Sequence, residues 1–356
     1  MVSGEVLALA RIPHRCRYLY WLPRAAEPAF GDWVSQLTLA RLAGMSATLP
    51  AANSRYAIVT GGGSGIGRAI CLRLVAQGWH VAIVDCNPAA ADETLSMFPA
   101  AGDSLALEID VADADAWQQL LFDLQARWPR LDLLVNNAGV LVGGELAACE
   151  ASELRRLIEV NLVGTLLGCR AVIPWLVEST QATQSVTSDL SSSQPRRGII
   201  NTASIFATVA PPGFSIYNAT KAGVVAASES LRGELAPQGL NVTVTLPGAV
   251  GTGLFRSARF STPTFGEAAQ RFVSQAELTP DAVAEATLRA AAAGQAVAVI
   301  GRRAKRFAWL KRWLPTLTRH LVVKQARREL GIPAPRPSES PAEISAATKP
   351  AEASVR

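Results

Sequence analysis

Between residues 56 and 300 the chain alternates short apolar runs with helical stretches, and this alternation restricts the fold more than any other feature. Helices are predicted between the apolar runs, near 68–77, 88–97, 113–127, 150–178, 215–236 and 280–293. The runs themselves predict seven strands, at 56–60, 81–85, 104–110, 131–135, 198–204, 241–246 and 296–300. Strands that are apolar throughout are typical of a parallel sheet covered on both faces. We therefore predict an α/β fold, a doubly wound parallel sheet with helices on both faces.

Composition excludes several classes of protein. With 49% hydrophobic and 18% charged residues, the chain can bury a large core, which excludes a mainly disordered protein. The longest apolar runs are interrupted well short of a membrane span, so no spanning helix is predicted. The five cysteines form no Cys-x-x-Cys pair, which favours a reducing, cytoplasmic location. The three histidines lie far apart, so no metal site is predicted.

Charge and composition divide the chain into segments. Residues 1–54 show no sustained hydrophobic periodicity. We expect them to be a poorly ordered extension, a targeting segment or a functional arm. Met45 is an alternative start to Met1. Residues 55–300 form the α/β domain and contain 16 basic against 22 acidic residues, which speaks against a nucleic-acid-binding surface. Within this domain, the Ser/Thr/Gln-rich residues 179–197 are expected to be a mobile surface insertion or a phosphorylated regulatory loop.

The segment 60–67, TGGGSGIG, lies between a predicted strand and a predicted helix. Glycines allow the backbone to turn sharply and to approach a pyrophosphate, and the helix start offers free N–H groups to the anion. Asp85 follows at the end of the next strand, where a carboxylate accepts hydrogen bonds from both ribose hydroxyls and repels a 2′-phosphate. Neither Ser64 nor Cys86 supplies a cation, so NAD is favoured over NADP, although Arg68 could tolerate the phosphate.

Tyr217 and Lys221 are four residues apart in a predicted helix and therefore share one face. An ammonium beside a phenol favours the phenolate and is expected to lower the pKa of Tyr217. Such a phenol is suited to general acid/base chemistry between an alcohol and a ketone. The pair alone is common in surface helices, but here it follows a strand that leads into Ser204.

Over residues 55–300 the sequence resembles the short-chain dehydrogenase/reductase family, whose motifs it matches in order. The matching segments are TGGGSGIG (60–67), Asp110 with Val111, NNAG (136–139), Asn161, the set Ser204, Tyr217 and Lys221, and Pro247 and Gly248 with Thr252. The resemblance implies a Rossmann-type fold and a homodimer or homotetramer built on the helices near 150–178 and 215–236.

The resemblance also implies a role for each site residue. Tyr217 would exchange a proton with the substrate oxygen, Ser204 would hydrogen-bond that oxygen, and Lys221 would bind the nicotinamide ribose and lower the tyrosine pKa. Asn161 would hold a water that links Lys221 to solvent, and Asn136 would help to line the cofactor floor. The implied cofactor-binding residues are Thr60, Gly61, Ser64, Gly65, Ile66, Gly67, Asp85, Asp110, Val111, Asn137, Ala138, Gly139, Tyr217, Lys221, Pro247, Gly248, Val250 and Thr252.

These observations predict an NAD-dependent oxidoreductase that interconverts a secondary alcohol and a ketone without a metal. The alternatives are a silent NAD-sensing binding module and a membrane-peripheral, lipid-directed reductase. The segment 253–277 is expected to be a mobile flap over the site, and its Phe residues indicate either an apolar substrate portion or ordinary packing.

Residues 301–330 form a basic tail with ten Lys or Arg and one Glu. Apolar residues recur at helical spacing, and Pro315 is expected to end one helix and to begin another. Such a tail could lie on an anionic membrane surface, cover the substrate pocket, pack on the body or on a partner subunit, or be solvated. Residues 331–356 are predicted to be disordered.

Overall fold

The computed structural model describes residues 54–183, 194–276 and 278–330, without the side chains of residues 182 and 183. The expected N-terminal extension, the disordered end and much of the expected insertion lie outside this part of the chain. The chain divides into Met1–Leu49 and Pro50–Arg356, and the described residues all belong to the second unit.

Seven parallel strands form the central sheet, in the order β3-β2-β1-β4-β6-β7-β9, which confirms the predicted doubly wound architecture. Their bounds are β1 Arg55–Thr60, β2 Trp79–Asp85, β3 Leu105–Glu108, β4 Leu133–Asn136, β6 Gly198–Thr202, β7 Asn241–Pro247 and β9 Val297–Ile300. Two further short strands, β5 (Val142–Gly143) and β8 (Arg259–Phe260), pair in parallel with each other beside the site.

Helices cover both faces of the sheet. Their bounds are α1 Gly65–Ala76, α2 Pro88–Ser96, α3 Ala114–Arg127, α4 Ala151–Ile158, α5 Gly164–Thr183, α6 Phe206–Val209, α7 Ser215–Leu235, α8 Pro263–Ser274, α9 Pro280–Ala292, α10 Arg302–Trp313 and α11 Pro315–Leu330. A π-helical turn, Glu159–Val163, joins α4 to α5.

The core consists of one apolar layer on each side of the sheet. On one side, Trp117 and Leu124 of α3 pack with Leu176 of α5 against the strands. On the other side, Leu74 of α1 and Leu288 of α9 belong to a second buried cluster. Because both faces are covered, the strands are apolar throughout, which is the pattern that predicted this fold.

One helix among the described residues, Ala151–Gln181, is long and apolar enough to cross a membrane. The sequence analysis found no apolar run of that length because Gly164 and Arg170 interrupt it. In the structure this helix is a core element, since Leu157 and Val172 are fully buried. Length and composition alone do not separate such a core helix from a membrane span.

The flanks of the expected insertion are ordered parts of the body. Helix α5 continues to Thr183, and the buried Ser179 hydroxyl accepts a hydrogen bond from the Leu131 amide at 3.1 Å. Before β6, the Arg197 guanidinium donates to the Asp132 carboxylate at 3.0 Å. The expected boundaries of 179 and 197 were therefore too wide, because both ends are held by buried polar contacts.

The tail forms two helices, α10 and α11, and Pro315 is the first residue of the second, as predicted. One side of the pair packs on the body through buried Ala304, Val322 and Ala326. The structure therefore confirms packing on the body, one of the alternatives left open by the sequence.

Candidate active site

The glycine-rich turn after β1 closes directly against the turn after β4. Gly61 has a positive φ of 63°, and a Cβ on it would lie 2.8 Å from the Ala138 Cα atom. A Cβ on Gly67 would lie 2.0 Å from the Gly61 carbonyl oxygen. Only glycine fits these two positions. The backbone is therefore packed tightly at the start of α1, as close approach to a pyrophosphate requires.

Thr60 and Asn137 hold the two turns together. The Thr60 hydroxyl accepts hydrogen bonds from the amides of Asn137 and Ala138, both at 3.0 Å. The Asn137 side-chain amide donates to the carbonyl oxygens of Thr60 and Gly61 at 3.2 and 3.3 Å. Thr60 is buried, so it positions the turn and does not itself face the site.

Helix α1 begins after Ser64, whose side chain makes no capping hydrogen bond. The first amides of the helix therefore have no side-chain partner, and Gly65 and Ile66 line the adjoining cavity. Unpaired amides and the positive end of a helix dipole favour an anion. This start of α1 fits a dinucleotide pyrophosphate.

The cavity has a volume of about 560 Å³ and lies at the carboxyl ends of the central strands. This is the edge at which open α/β sheets bind ligands. The predicted residues that line it are Gly61, Ser64, Gly65, Ile66, Asp85, Asp110, Val111, Asn137, Ala138, Gly139, Ser204, Tyr217, Lys221, Pro247, Gly248, Val250 and Thr252.

Some predicted site residues lie behind the cavity wall. Thr60 and Gly67 pack within the turns, and Asn161 is fully buried. Asn136, which we expected on the cofactor floor, instead donates to the Asn201 side chain at 2.9 Å in the core. That expectation was wrong because successive side chains of a strand point to opposite faces, and Asn136 ends β4.

Asp85 organises the glycine-rich turn as well as facing the cavity. Its carboxylate accepts hydrogen bonds from the Gly63 amide at 2.9 Å and from the Asn87 amide at 3.0 Å. Arg68, the cation considered for a 2′-phosphate, pairs with Glu93 at 2.6 Å and also donates to the Gly63 carbonyl. Arg68 is therefore already engaged by a carboxylate.

Arg156 lines the cavity beside Asp110 and was missed by the sequence analysis. Its guanidinium pairs with the Asp110 carboxylate at 2.8 Å. Partial burial raises the pKa of Asp110, but hydrogen bonds from Arg156 and from the Ala112 amide outweigh it, so the pKa lies below its usual value. No motif contains Arg156, whereas Ile109 and Val140 are wall residues adjacent to motifs and could have been found by extending them.

Ser204, Tyr217 and Lys221 meet at the same cavity as the glycine-rich turn. Ser204 follows β6, while Tyr217 and Lys221 lie one turn apart on α7. The Lys221 Nζ atom donates to the Thr202 carbonyl oxygen at 2.9 Å and lies 5.9 Å from the centre of the Tyr217 ring. All three side chains are buried.

Asn161 sits in the π-helical turn and holds the chain after β4. Its side chain accepts a hydrogen bond from the Val140 amide at 2.8 Å and donates to the Val140 carbonyl at 2.9 Å. A Cβ on Gly139 would lie 3.2 Å from Asn161 Oδ1 and 3.5 Å from Lys221 Nζ. The π turn therefore places the Asn161 side chain against Gly139, which Lys221 also approaches, and π turns are frequent at functional sites.

Burial is the main cause of the pKa shifts of Tyr217 and Lys221. It raises the pKa of Tyr217 to about 12, which the hydrogen bond of Ser204 to the phenol only partly offsets. It lowers the pKa of Lys221 to about 8. The expectation of a lowered Tyr217 pKa was wrong, because desolvation of the phenolate outweighs the influence of the nearby Lys221 ammonium, which donates to the Thr202 carbonyl.

Comparison with known proteins agrees with this geometry. The family model described as short chain dehydrogenase matches residues 55–261. A putative oxidoreductase, SadH of Mycobacterium tuberculosis, is 29% identical over 276 residues, covering 75% of this chain and 94% of the relative. A human (3R)-3-hydroxyacyl-CoA dehydrogenase is 34% identical over 208 residues, covering 56% of this chain and 74% of the relative.

A solved structure shows the same fold. A short-chain dehydrogenase/reductase from Burkholderia phymatum, crystallised with NAD, has a TM-score of 0.66 and 26% identity, covering 75% of this chain and 95% of that chain. The range that the family model matches, residues 55–261, contains β1 to β8, the glycine-rich turn and the tyrosine–lysine pair. This chain belongs to the short-chain dehydrogenase/reductase family, oxidoreductases that act on CH–OH groups.

Proposed function

We propose that this protein interconverts a secondary alcohol and a ketone with NAD, using Tyr217 as the general acid/base. The observation that carries the proposal is that Ser204, Tyr217 and Lys221 line the same cavity as the glycine-rich turn. A bound nicotinamide supplies the hydride acceptor or donor in such a reaction. The protein then has to orient one carbon and move one proton.

Each side chain has a distinct task in this mechanism. The Ser204 hydroxyl holds the substrate oxygen against the Tyr217 phenol, which donates or accepts the proton. The buried Lys221 ammonium stabilises the phenolate that forms and would contact the ribose of a bound nicotinamide cofactor. Asn161 fixes the turn after β4 and keeps that wall beside Lys221. We further propose that Asn161 holds a water between Lys221 and solvent.

Two solved structures and a curated relative support nicotinamide chemistry at a hydroxyl carbon. A 3-ketoacyl-(acyl-carrier-protein) reductase from Brucella melitensis, crystallised with NADH, has a TM-score of 0.58 and 28% identity, covering 69% of this chain and 95% of that chain. The relatives described above include an NAD complex and a hydroxyacyl-CoA dehydrogenase. For this chain we propose an alcohol or ketone substrate of small size.

Asp85 supports NAD over NADP as the cofactor. A 2′-phosphate would meet this carboxylate, and Arg68 is already paired with Glu93. A carboxylate at the end of the second strand is suited to the two free ribose hydroxyls of NAD.

We also propose a cytoplasmic homodimer or homotetramer. The helices α4 and α5 expose Ile158 and Leu166, which are large apolar side chains. An exposed apolar helix face is typical of a surface that another subunit covers. Sedimentation velocity at several protein concentrations tests this assembly, and a monomer at all of them would contradict it.

The tail supports peripheral contact with an anionic membrane. Trp309 and Trp313 are 62% and 63% exposed, and Leu314, Leu317 and Leu321 are exposed beside them. Basic residues flank this stripe, as in helices that lie on anionic lipid surfaces. The full chain should co-sediment with phosphatidylglycerol vesicles but not with phosphatidylcholine vesicles, and Trp309→Ser with Trp313→Ser should release it. Equal sedimentation of wild type and variant would contradict the contact.

The reaction itself is tested by offering the protein a panel of secondary alcohols with NAD and following absorbance at the wavelength of NADH. We expect turnover of at least one alcohol and weaker turnover with NADP. The alternative function, a silent NAD-sensing module, predicts NAD binding without reduction of NAD by any alcohol. That result, together with no oxidation of NADH by the matching ketones, would contradict the proposed function.

A further inference from the structure

A second cavity of about 150 Å³ lies against the catalytic cavity, beneath the tail helices α10 and α11. Both cavities share the wall residues Ile205, Phe206 and Phe272. We refer to it as the side cavity. It is bounded on the tail side by Phe307, Val322 and other apolar residues of α10 and α11.

The wall between the two cavities is next to the reacting groups. The Phe206 ring meets the Tyr217 ring edge-on, with centroids 6.1 Å apart. Ala326 and Leu330 of α11 belong to the same apolar cluster as Tyr217. Helix α11 therefore packs in the same apolar cluster as Tyr217. Phe206, which lines the side cavity, contacts the Tyr217 ring.

The walls of the side cavity suit an apolar occupant. Besides its apolar residues, the side cavity is lined by Gln275, Gln325, Arg302, Arg303 and Glu329, of which all but Gln325 are exposed. A cavity of about 150 Å³ with apolar walls is large enough for a group of the size of benzene. An alkyl or aryl substituent gains stability where it contacts the apolar part of this wall.

We infer that the side cavity receives the apolar substituent of the substrate. The substrate class is then a secondary alcohol or ketone that carries an alkyl or aryl group of about six carbons. This inference rests on the proposed function, and it assigns a specificity role to Val322, Ala326 and Phe307 of the tail. The family model ends at residue 261, so it does not include these tail residues.

A homologous series of methyl ketones and 2-alkanols, from three to nine carbons, tests this assignment in the full-length protein. Affinity of the ketones is measured by calorimetry for the complex with NAD, which cannot reduce them, and turnover of the alcohols with NAD is measured separately. Each methylene that enters an apolar wall is worth about a fourfold gain. We expect ketone affinity and alcohol kcat/KM to rise by this factor per carbon and to level off once the cavity is filled.

Two substitutions and a matched control test whether the side cavity causes the dependence on chain length. Val322→Phe fills the cavity and should remove most of the gain from added carbons while sparing the three-carbon substrate. Phe307→Ala enlarges the cavity and should extend the rise to longer chains, which keeps the test valid if Val322→Phe does not fold. Leu321→Phe places the same side chain at the neighbouring exposed position, 41% exposed, and should leave the profile unchanged.

The outcomes separate the two claims. A length profile that is flat in the wild type, or identical in Val322→Phe, Phe307→Ala and wild type, would overturn the side-cavity assignment while leaving alcohol oxidation intact. A length-dependent ketone affinity without any turnover would instead overturn the proposed reaction and support the assignment of the cavity.

Discussion

The two ends of the active-site cavity are built in different ways. The nucleotide end consists of turns that follow β1, β2 and β4 and are joined by polar contacts, such as those of Thr60 with Asn137 and of Asp85 with Gly63. The substrate end is assembled from segments far apart in the chain, including α6, α8 and α11, and its contacts are apolar. Under the proposed function, cofactor binding and substrate choice are therefore carried by separate structures, and variants at one end should leave the other intact.

Lys221 lies at the boundary between the two ends, and among the variants that compare the two ends its removal should have the largest effect. We expect Lys221→Met to lower kcat by about 10³-fold, because the phenolate of Tyr217 loses its cation. Steady-state kinetics with the best alcohol measures this loss. Lys305→Met, which removes an exposed lysine of α10, is the control and should retain full activity.

The same substitution should stabilise the fold near neutral pH. Burial lowers the pKa of Lys221 to about 8 from 10.5, so the unfolded chain binds this proton more tightly than the folded one. The group therefore destabilises the fold below pH 8, and this cost disappears as the pH rises towards 10.5. Urea unfolding should show a gain of about 1–3 kcal/mol for Lys221→Met at pH 7 and little gain at the higher pH. A loss of stability at pH 7 would contradict this account.

Gly67→Ala should damage the nucleotide end alone. Its Cβ would meet the Gly61 carbonyl oxygen at 2.0 Å, and the turn must move to admit it. We expect NAD affinity, measured by calorimetry, to fall by about 100-fold. Gly233→Ala is the matched control: its Cβ meets nothing within 4 Å on α7, so it should bind NAD normally and gain about 0.5–1 kcal/mol in stability.

Asp85→Asn should change cofactor preference by about tenfold towards NADP, because it removes the charge that repels a 2′-phosphate. The ratio of kcat/KM with NADP to that with NAD measures the change. Asp113→Asn removes a charge from the N-cap of α3, outside the cavity, and should leave that ratio unaltered. An unchanged ratio in Asp85→Asn would show that another group selects the cofactor.

Arg156→Gln should have the smallest effect, about a threefold loss of NAD affinity, because its pair with Asp110 is 46% exposed on the arginine side. The same titration at high salt should reduce the difference between variant and wild type. The affinity for methyl ketones at saturating NAD should stay the same. A change in ketone affinity in Arg156→Gln would contradict the separation of cofactor binding from substrate choice.

Most residues that line the nucleotide end of the cavity could be predicted because they lie in short motifs. The motifs of this end are close in sequence: they are the strand that ends at Thr60, the glycines of the turn and Asp85. Each of them can be interpreted from its sequence neighbours alone. The seven strands and the helix break at Pro315 were found for the same reason, since periodicity and proline act locally.

The remaining features depend on contacts between distant segments. No sequence pattern links Arg156 to Asp110, or α11 to the surroundings of Tyr217. The pKa of Tyr217 was predicted in the wrong direction because its neighbour Lys221 is local, whereas its burial is produced by the whole fold. The side cavity was likewise out of reach, because its walls come from both the body and the tail.

The central claim is that Tyr217 moves the proton and does not build the cofactor site. The measurement is kcat for alcohol oxidation together with the dissociation constant of NAD in Tyr217→Phe, with Tyr56→Phe, a buried tyrosine of β1, as the control. We predict a loss in kcat of at least about 10³-fold with NAD affinity within about twofold of wild type, and no loss of kcat in the control. Turnover by Tyr217→Phe within about tenfold of wild type would contradict the account.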